Sequence, residues 1–145
     1  MIERGGEFLA RLKLEKILEE AQSNFEKLTE SRLRKLDKCG RILPWQPGVY
    51  VIYNDKKDIL YVGSADDLHR RVSEDIFWRG HTLRHKLSIE LGSKDAARDF
   101  LRKCLFRFQT IKEKNKKDAI VKADLVEALA IALLKPHYNK PYYGK

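Results

Sequence analysis

Residues 47–71 read PGVYVIYNDKKDILYVGSADDLHRR. Two short apolar runs, Gly48 to Tyr53 and Ile59 to Gly63, flank a polar turn from Asn54 to Asp58. β-Branched and aromatic residues bounded by turn formers predict an antiparallel hairpin with a five-residue loop. Each run carries a Tyr next to a Gly: Gly48-Val49-Tyr50, then Tyr61-Val62-Gly63. A polar segment follows, in which Ser64 or Asp66 is placed to cap a helix that delivers Arg71. Two phenols and a guanidinium have no evident packing reason to gather here.

Working outward, Glu7 to Lys38 holds no Pro or Gly, and Leu14, Leu18, Ala21, Phe25 and Leu28 alternate steps of four and three. That spacing predicts one long helix, or two with a break near Ser23 or Thr29 to Ser31. Its apolar stripe must bury against something, and packing on the following domain is the expectation. The pattern lasts only about two heptads, short for a coiled coil, so a weak dimer through this helix stands behind a monomer. Cys39-Gly40 is read as the helix end, and Pro44 and Pro47 bracket Trp45-Gln46 as a rigid entry to the first strand. The expected organisation is a helical arm, 1–43, and a domain, 44–145.

Downstream of Arg71, Gly80 precedes a helix from Thr82 to Leu91, ended by Gly92, and Ser93 caps another from Lys94 to Lys103. Cys104 to Ile111 is strand-like and is expected to pair with the hairpin as a third strand. A basic turn, Lys112 to Lys117, leads into a dense apolar helix from Asp118 to Lys135, which Pro136 stops. The fold class is therefore α+β: a small three-stranded antiparallel sheet flanked by helices, with an N-terminal helical extension.

Thirty Lys and Arg against 21 Asp and Glu give a formal charge of +9. Such a balance favours polyanions through counterion release, although a Lys-rich solvated surface accounts for it equally well. Cys39 and Cys104 form no metal-ligand pattern and are read as reduced thiols of an intracellular protein. No apolar run approaches the roughly 20 residues a membrane span needs, and no signal peptide is recognisable, so no membrane role and a cytoplasmic location are expected.

The final helix is apolar on its inward side, yet Glu127 sits among Val126, Ala128, Leu129 and Ala130. A carboxylate there is costly unless it is paired, holds a metal or lies at the rim of a cleft. The alternative is that it faces solvent beside Asp124 and Lys122. Two tyrosines, an Arg and a Glu supply the parts for metal-assisted hydrolysis of a phosphodiester. The carboxylate holds Mg²⁺ or Mn²⁺, which polarises the phosphoryl oxygens. The guanidinium matches those oxygens as a fork. A tyrosine can take a proton only if nearby cations lower its pKa from about 10.

At this point the chain resembles the GIY-YIG nuclease superfamily. The likeness rests on Gly48-Val49-Tyr50, ten residues, Tyr61-Val62-Gly63, then Ser64-Ala65-Asp66-Asp67-Leu68 and Arg71 ten positions after Tyr61. It closes with Glu127 and the Pro136-x-Tyr138-Asn139 tail, and so spans Pro47 to Asn139. The resemblance implies one divalent metal held by Glu127. It makes Tyr50 the general base or an aid to the attacking water, and Tyr61 a second phenol lining the site. Arg71 would stabilise the scissile phosphate, and Asn139 would fix the tail near the site. Asp75 replaces the His that some members carry four residues after the Arg. His81 and His85 are then candidates for a His from the next helix, with His85 placed among the catalytic set.

Arg70, Arg84, Lys86, Lys112 and Lys116 are the candidate track for a nucleic-acid backbone. Trp45 and Trp78 can stack on bases, but core or lid packing is the preferred reading for both. The expected activity is that of a small stand-alone Mg²⁺-dependent endonuclease, with DNA ahead of RNA as substrate. A nucleic-acid- or partner-binding module without catalysis is the alternative. A purely structural domain is a third reading, which predicts Glu127 far from Tyr50.

Overall fold

The computed structural model of the protein describes residues 5–139. Four strands form one sheet: β1 (Arg34–Lys35), β2 (Gly48–Tyr53), β3 (Ile59–Ala65) and β4 (Leu105–Thr110), in the order β1-β4-β2-β3. All neighbours are antiparallel. The sequence-based expectation of three strands is corrected by β1, which pairs Arg34 with Phe106 and Lys35 with Leu105. Two residues are too few to show a period-two pattern, so this strand is invisible without its partner.

The Asn54 side chain braces the hairpin turn, beside backbone bonds from Asn54 to Asp58 and from Lys57 to Asn54. Asn54 Oδ1 accepts from the amides of Lys56 and Asp58, both at 2.9 Å, while Lys57 takes the left-handed backbone with φ 70°. Asn and Asp favour such turns because their short side chains bond their own backbone.

Each face of the sheet carries its own core. Val49, Val51 and Tyr53 of β2 and Val62 of β3 face helix α5 (Lys116–Leu134) and the C-terminal part of α1 (Gly5–Glu30), with Leu28, Ala119, Ala123 and Val126 buried among them. On the other face, Tyr50, Ile52, Tyr61 and Phe106 meet Leu68, Val72, Ile76, Leu83 and Leu101. Of these last residues, Leu68 lies just before a π-helical segment (His69–Asp75), and the others come from that segment, α2 (Ile76–Trp78), α3 (Thr82–Leu91) and α4 (Lys94–Arg102). The strict alternation along β2 explains the split: odd residues feed one core and even residues the other, and all six are buried.

The first helix ends at Glu30, in the region Thr29 to Ser31 where a break was expected, and does not run on to Lys38. Residues 34–41 instead add β1 and a 3₁₀ turn, Leu36–Arg41, whose Leu36 and Cys39 are buried against the Arg71-bearing segment. The N-terminal half of α1 leaves Phe8, Leu9, Leu12, Leu14 and Leu18 exposed. Ser93 caps α4 by accepting from the Ala96 amide at 3.0 Å. Asn115 caps α5, which starts two residues before the expected Asp118, by accepting from the Asp118 amide at 2.9 Å. Gly92, with φ 94°, closes α3 in the left-handed conformation that glycine adopts at no steric cost. Among the described residues no helix is long and apolar enough to cross a membrane.

Candidate functional site

The two glycines of the hairpin exist to let larger groups approach. Gly63 pairs directly with Tyr50 across the strands. A Cβ at position 63 would stand 2.4 Å from both Cζ and Oη of Tyr50, so the phenol lies against bare backbone. A Cβ at Gly48 would meet Leu68 Cδ1 at 2.4 Å and the Gln109 carbonyl oxygen at 2.5 Å. Leu68 therefore seats the start of the Arg71-bearing segment on the beginning of β2. Neither Ser64 nor Asp66 caps that segment as expected. Ser64 lies within β3, and Asp67 Oδ1 is the acceptor for the Arg70 amide, at 3.3 Å.

Tyr61 sits on the same face, its ring centroid 6.3 Å from that of Tyr50. His81 completes an aromatic trio, edge-on to Tyr61 at 5.3 Å. Its two nitrogens have fixed and different roles. Nδ1 accepts from the Leu83 amide at 3.1 Å, making His81 the N-cap of α3. A nitrogen that accepts carries no proton, so the neutral ring holds its hydrogen on Nε2. Nε2 lies 2.7 Å from Tyr50 Oη and is the donor of that bond. Burial, with the guanidinium groups of Arg71 and Arg84 adding repulsion, lowers the His81 pKa to about 3, so the ring stays neutral.

Arg71 Nη1 donates to the Gly80 carbonyl at 3.2 Å and contacts Asp75 Oδ2 at 3.5 Å. The segment carrying it is π-helical, a wide turn common where a side chain must be re-aimed at a site. Asp75 therefore orients the guanidinium.

Glu127 and Asn139 meet the free edge of β3. Among the described residues no strand lies beyond β3, so its outward amides need other partners. Asn139 supplies both halves of a strand-like pair: its Oδ1 accepts from the Val62 amide at 2.7 Å and its Nδ2 donates to the Val62 carbonyl at 2.8 Å. Glu127 Oε2 accepts from the Ser64 amide at 2.9 Å, and Asp124 Oδ1 accepts from the Ser64 hydroxyl at 2.7 Å. Burial and the neighbouring Asp124 raise the Glu127 pKa, opposed by the Ser64 amide and by Arg71.

These four side chains are electrostatic neighbours. Tyr50 feels Tyr61, Arg71 and Glu127, and Glu127 feels Arg71. The balance at Tyr50 differs from the expectation of a lowered pKa. Burial dominates and Tyr61 adds to it, so the hydroxyl is raised although Arg71 pulls it down. The ring is fully buried, and burial disfavours a phenolate more than one flanking guanidinium favours it.

The structure thus brings Tyr50, Tyr61, Arg71, Glu127 and Asn139 to one end of the β2–β3 hairpin. His85, one helical turn past His81, is exposed, and His81 is the imidazole against Tyr50. The sequence signal for His81 is its place between Gly80 and the first turn of α3, where side chains fold back onto the helix start. Asp124, read from the sequence as a solvent-side neighbour of Glu127, shares its helix face and accepts from the Ser64 hydroxyl.

The basic track is not continuous. Arg84 is buried and donates to the Arg79 carbonyl. Lys86 Nζ donates to the Tyr138 carbonyl at 2.8 Å, and Tyr138 in turn donates to Glu90, so α3 holds the tail that positions Asn139. Arg70 is half-exposed and paired with Asp66 at 3.0 Å. Lys112 and Lys116 are exposed around a separate groove with Trp45 and Pro47.

A family model for the UvrC-like GIY-YIG domain matches residues 46–140. UvrABC system protein C of Maricaulis maris is 33% identical over 99 residues, which cover 68% of this chain and 13% of that protein. The protein of the same name from Agrobacterium fabrum is 32% identical over 113 residues, covering 76% of this chain and 14% of that one. The chain therefore spans about one-seventh of the length of these relatives. Among solved structures, the GIY-YIG N-terminal endonuclease domain of UvrC from Thermotoga maritima, as a point mutant bound to its catalytic divalent cation, superposes with a TM-score of 0.50 at 21% identity. That match takes in 74% of this chain and 97% of the other, and at such identity it speaks for the fold.

Proposed function

From the premise that this chain belongs to the UvrC-like GIY-YIG domain family, we propose that it is a metal-dependent endonuclease that hydrolyses phosphodiester bonds of DNA, in the service of DNA repair. The observation that carries the reading is the convergence of Tyr50, Tyr61, Arg71 and Glu127 at one end of β3. The third reading, a structural domain, required Glu127 to be remote from Tyr50.

The donor set fits Mg²⁺ or Mn²⁺. Glu127 engages the Ser64 amide through Oε2, one of its two carboxylate oxygens. Asp124 adds a second carboxylate beside it. Among the described residues no three His, Cys, Asp or Glu side chains converge, so most positions around a bound ion would be left to water and phosphate. That is the coordination Mg²⁺ prefers. When bound there, the ion supplies Lewis-acid stabilisation of the phosphoryl oxygens.

The chain's own residues do the rest. Arg71, braced by Asp75 and the Gly80 carbonyl, presents its guanidinium to the scissile phosphate. His81 donates to Tyr50 Oη and thereby turns the phenolic hydrogen away from itself. Tyr50 offers a hydroxyl of fixed direction with a lone pair for orienting the attacking water. Its raised pKa makes it a positioning group first, and a proton acceptor only when added positive charge offsets burial. Tyr61 packs edge-on to His81 and restricts access of bulk water.

The test is cleavage of plasmid, branched, single-stranded and RNA substrates with and without Mg²⁺ or Mn²⁺, alongside Glu127→Gln. Metal-dependent nicking of DNA that the variant loses is the expected result. Binding of nucleic acid with no cleavage of any substrate would move the protein to the inactive-module reading.

A further inference from the structure

Beside the Tyr50–His81 pair lies a cavity of about 410 Å³, lined by Trp78, Arg79, His81, Arg84, His85 and Lys94 among others. Among the described residues no carboxylate lines it. Its size falls in the range of about 300–1,000 Å³ typical of ligand clefts. It shares His81 with the catalytic group and Gly80 with the backbone that braces Arg71. A group seated here is thus adjacent to a phosphate held by Arg71.

Arg84 is the anomaly. Its side chain is 9% exposed, its Nε is buried without a hydrogen-bond partner, and its recorded bond is a donation from Nη2 to the Arg79 carbonyl. Among the described residues no carboxylate pairs with it. A buried guanidinium without a counter-charge is costly, and such groups are normally paired or hydrogen-bonded to an anion. Lys94 and Arg79 add positive charge at the same rim. Trp78 is 65% exposed, with Arg98 over its ring at 5.0 Å from the centroid. A large exposed aromatic on a basic rim is a stacking platform for a base.

We propose that this cavity is a second phosphate subsite, which holds the nucleotide next to the cut. Arg84 and Lys94 take its phosphate and Trp78 stacks on its base. A base paired in a duplex has no free face for such a ring. The subsite therefore selects substrates in which the nucleotide beside the scissile phosphate is unpaired, as at a flap, bubble or single-stranded end. The assignment rests on the nuclease reading for the identity of the neighbouring phosphate, but its test does not require cleavage.

Anisotropy of fluorescein-labelled oligonucleotides, measured in chelator so that no strand is cut, compares fully paired duplex with a duplex carrying a single-stranded flap. Trp78→Ala should weaken flap binding by about five- to a hundredfold and leave duplex binding unchanged. Lys94→Ala should weaken flap binding and make its salt dependence shallower by about 0.7 in log–log slope, the loss of one single-strand phosphate contact. Arg84→Met should act in the same direction, and the two surface variants decide the matter if Met at 84 does not fold. Wild-type affinity and slope for both Trp78→Ala and Lys94→Ala would overturn the subsite. So would an equal loss on duplex and flap for Trp78→Ala, or a wild-type protein that binds neither. Activity lost in Glu127→Gln but intact flap binding in Trp78→Ala would refute the subsite alone. Wild-type protein that cuts nothing, with the predicted binding pattern present, would refute the nuclease reading alone.

Discussion

Replacing His81 by Asn separates the two jobs of this side chain. Asn is a good N-cap, so its Oδ1 can still accept from the Leu83 amide, but it is too short to reach Tyr50 Oη. At pH 7 the variant removes the His81 donor from the fully buried Tyr50 hydroxyl, at a cost of about 1–3 kcal/mol. The pH dependence runs the other way. The folded-state pKa of His81, about 3, lies below the ordinary 6.5, so between these values the unfolded chain binds the extra proton. There is no penalty above about pH 6.5, and stability falls as the pH drops toward 3. At about 1.36 kcal/mol per pH unit, the wild type loses roughly 2–3 kcal/mol through this group by pH 4.5. The variant has no imidazole at 81 and escapes that loss, while other groups titrate alike in both proteins. The stability curves should therefore converge and cross between about pH 4.3 and 5.8, at the lower end for the larger penalty. Urea unfolding followed by circular dichroism at steps from pH 7.5 to 4.5 measures the gap. A gap that stays constant over this range would refute both the neutral tautomer and the buried environment that enforces it.

Glu127→Gln should abolish metal-dependent cleavage while the fold persists, because the amide oxygen still accepts from Ser64; activity assays paired with a thermal melt check both halves. Gly63→Ala places a methyl 2.4 Å from the Tyr50 ring. Overpacking of this kind costs about 1–3 kcal/mol; a lowered urea midpoint together with lost cleavage is expected, and an active variant of wild-type stability would show that Tyr50 can shift freely. Asn139→Ala removes both bonds to Val62 and exposes the edge of β3, so amide exchange at Val62 should accelerate selectively, with a stability cost of about 1–3 kcal/mol. Tyr50→Phe keeps the ring but removes the oxygen that receives His81 Nε2–H, and a fall in kcat with an unchanged fold by circular dichroism is the outcome that fits Tyr50 as the water-orienting group.

The hairpin was legible because its information is local. Alternating Val, Ile and Tyr with a polar Asn-Asp-Lys-Lys-Asp turn specifies two strands, and Gly92, Ser93 and Pro136 punctuate the helices as their chemistry requires. Where the prediction slipped, the deciding partner was far away in sequence. Arg34–Lys35 becomes a strand only because Leu105 and Phe106 lie beside it. His81 and His85 are equivalent by composition, and the choice between them depends on which end of α3 abuts the β2–β3 hairpin. Arg84 looked like a surface cation and is buried, since helical phase alone does not reveal how deeply α3 packs on its neighbours.

What the sequence determined by itself was the list of chemical groups and the backbone freedom they need. Glu127 stands out as a polar group in an apolar run, Tyr50, Tyr61 and Arg71 stand out by their gathering around one hairpin, and glycine at 48 and 63 marks places where something must come close. Tertiary structure decided what comes close, and in which state. It set Tyr50 against Gly63 and raised its pKa by burial, a property of the folded surroundings and not of the residue. It also placed Glu127 on the free edge of β3, where an unpaired strand amide anchors one carboxylate oxygen. Hydrogen bonds across 63 and 77 residues of chain produce that edge, and no local pattern encodes contacts of such range.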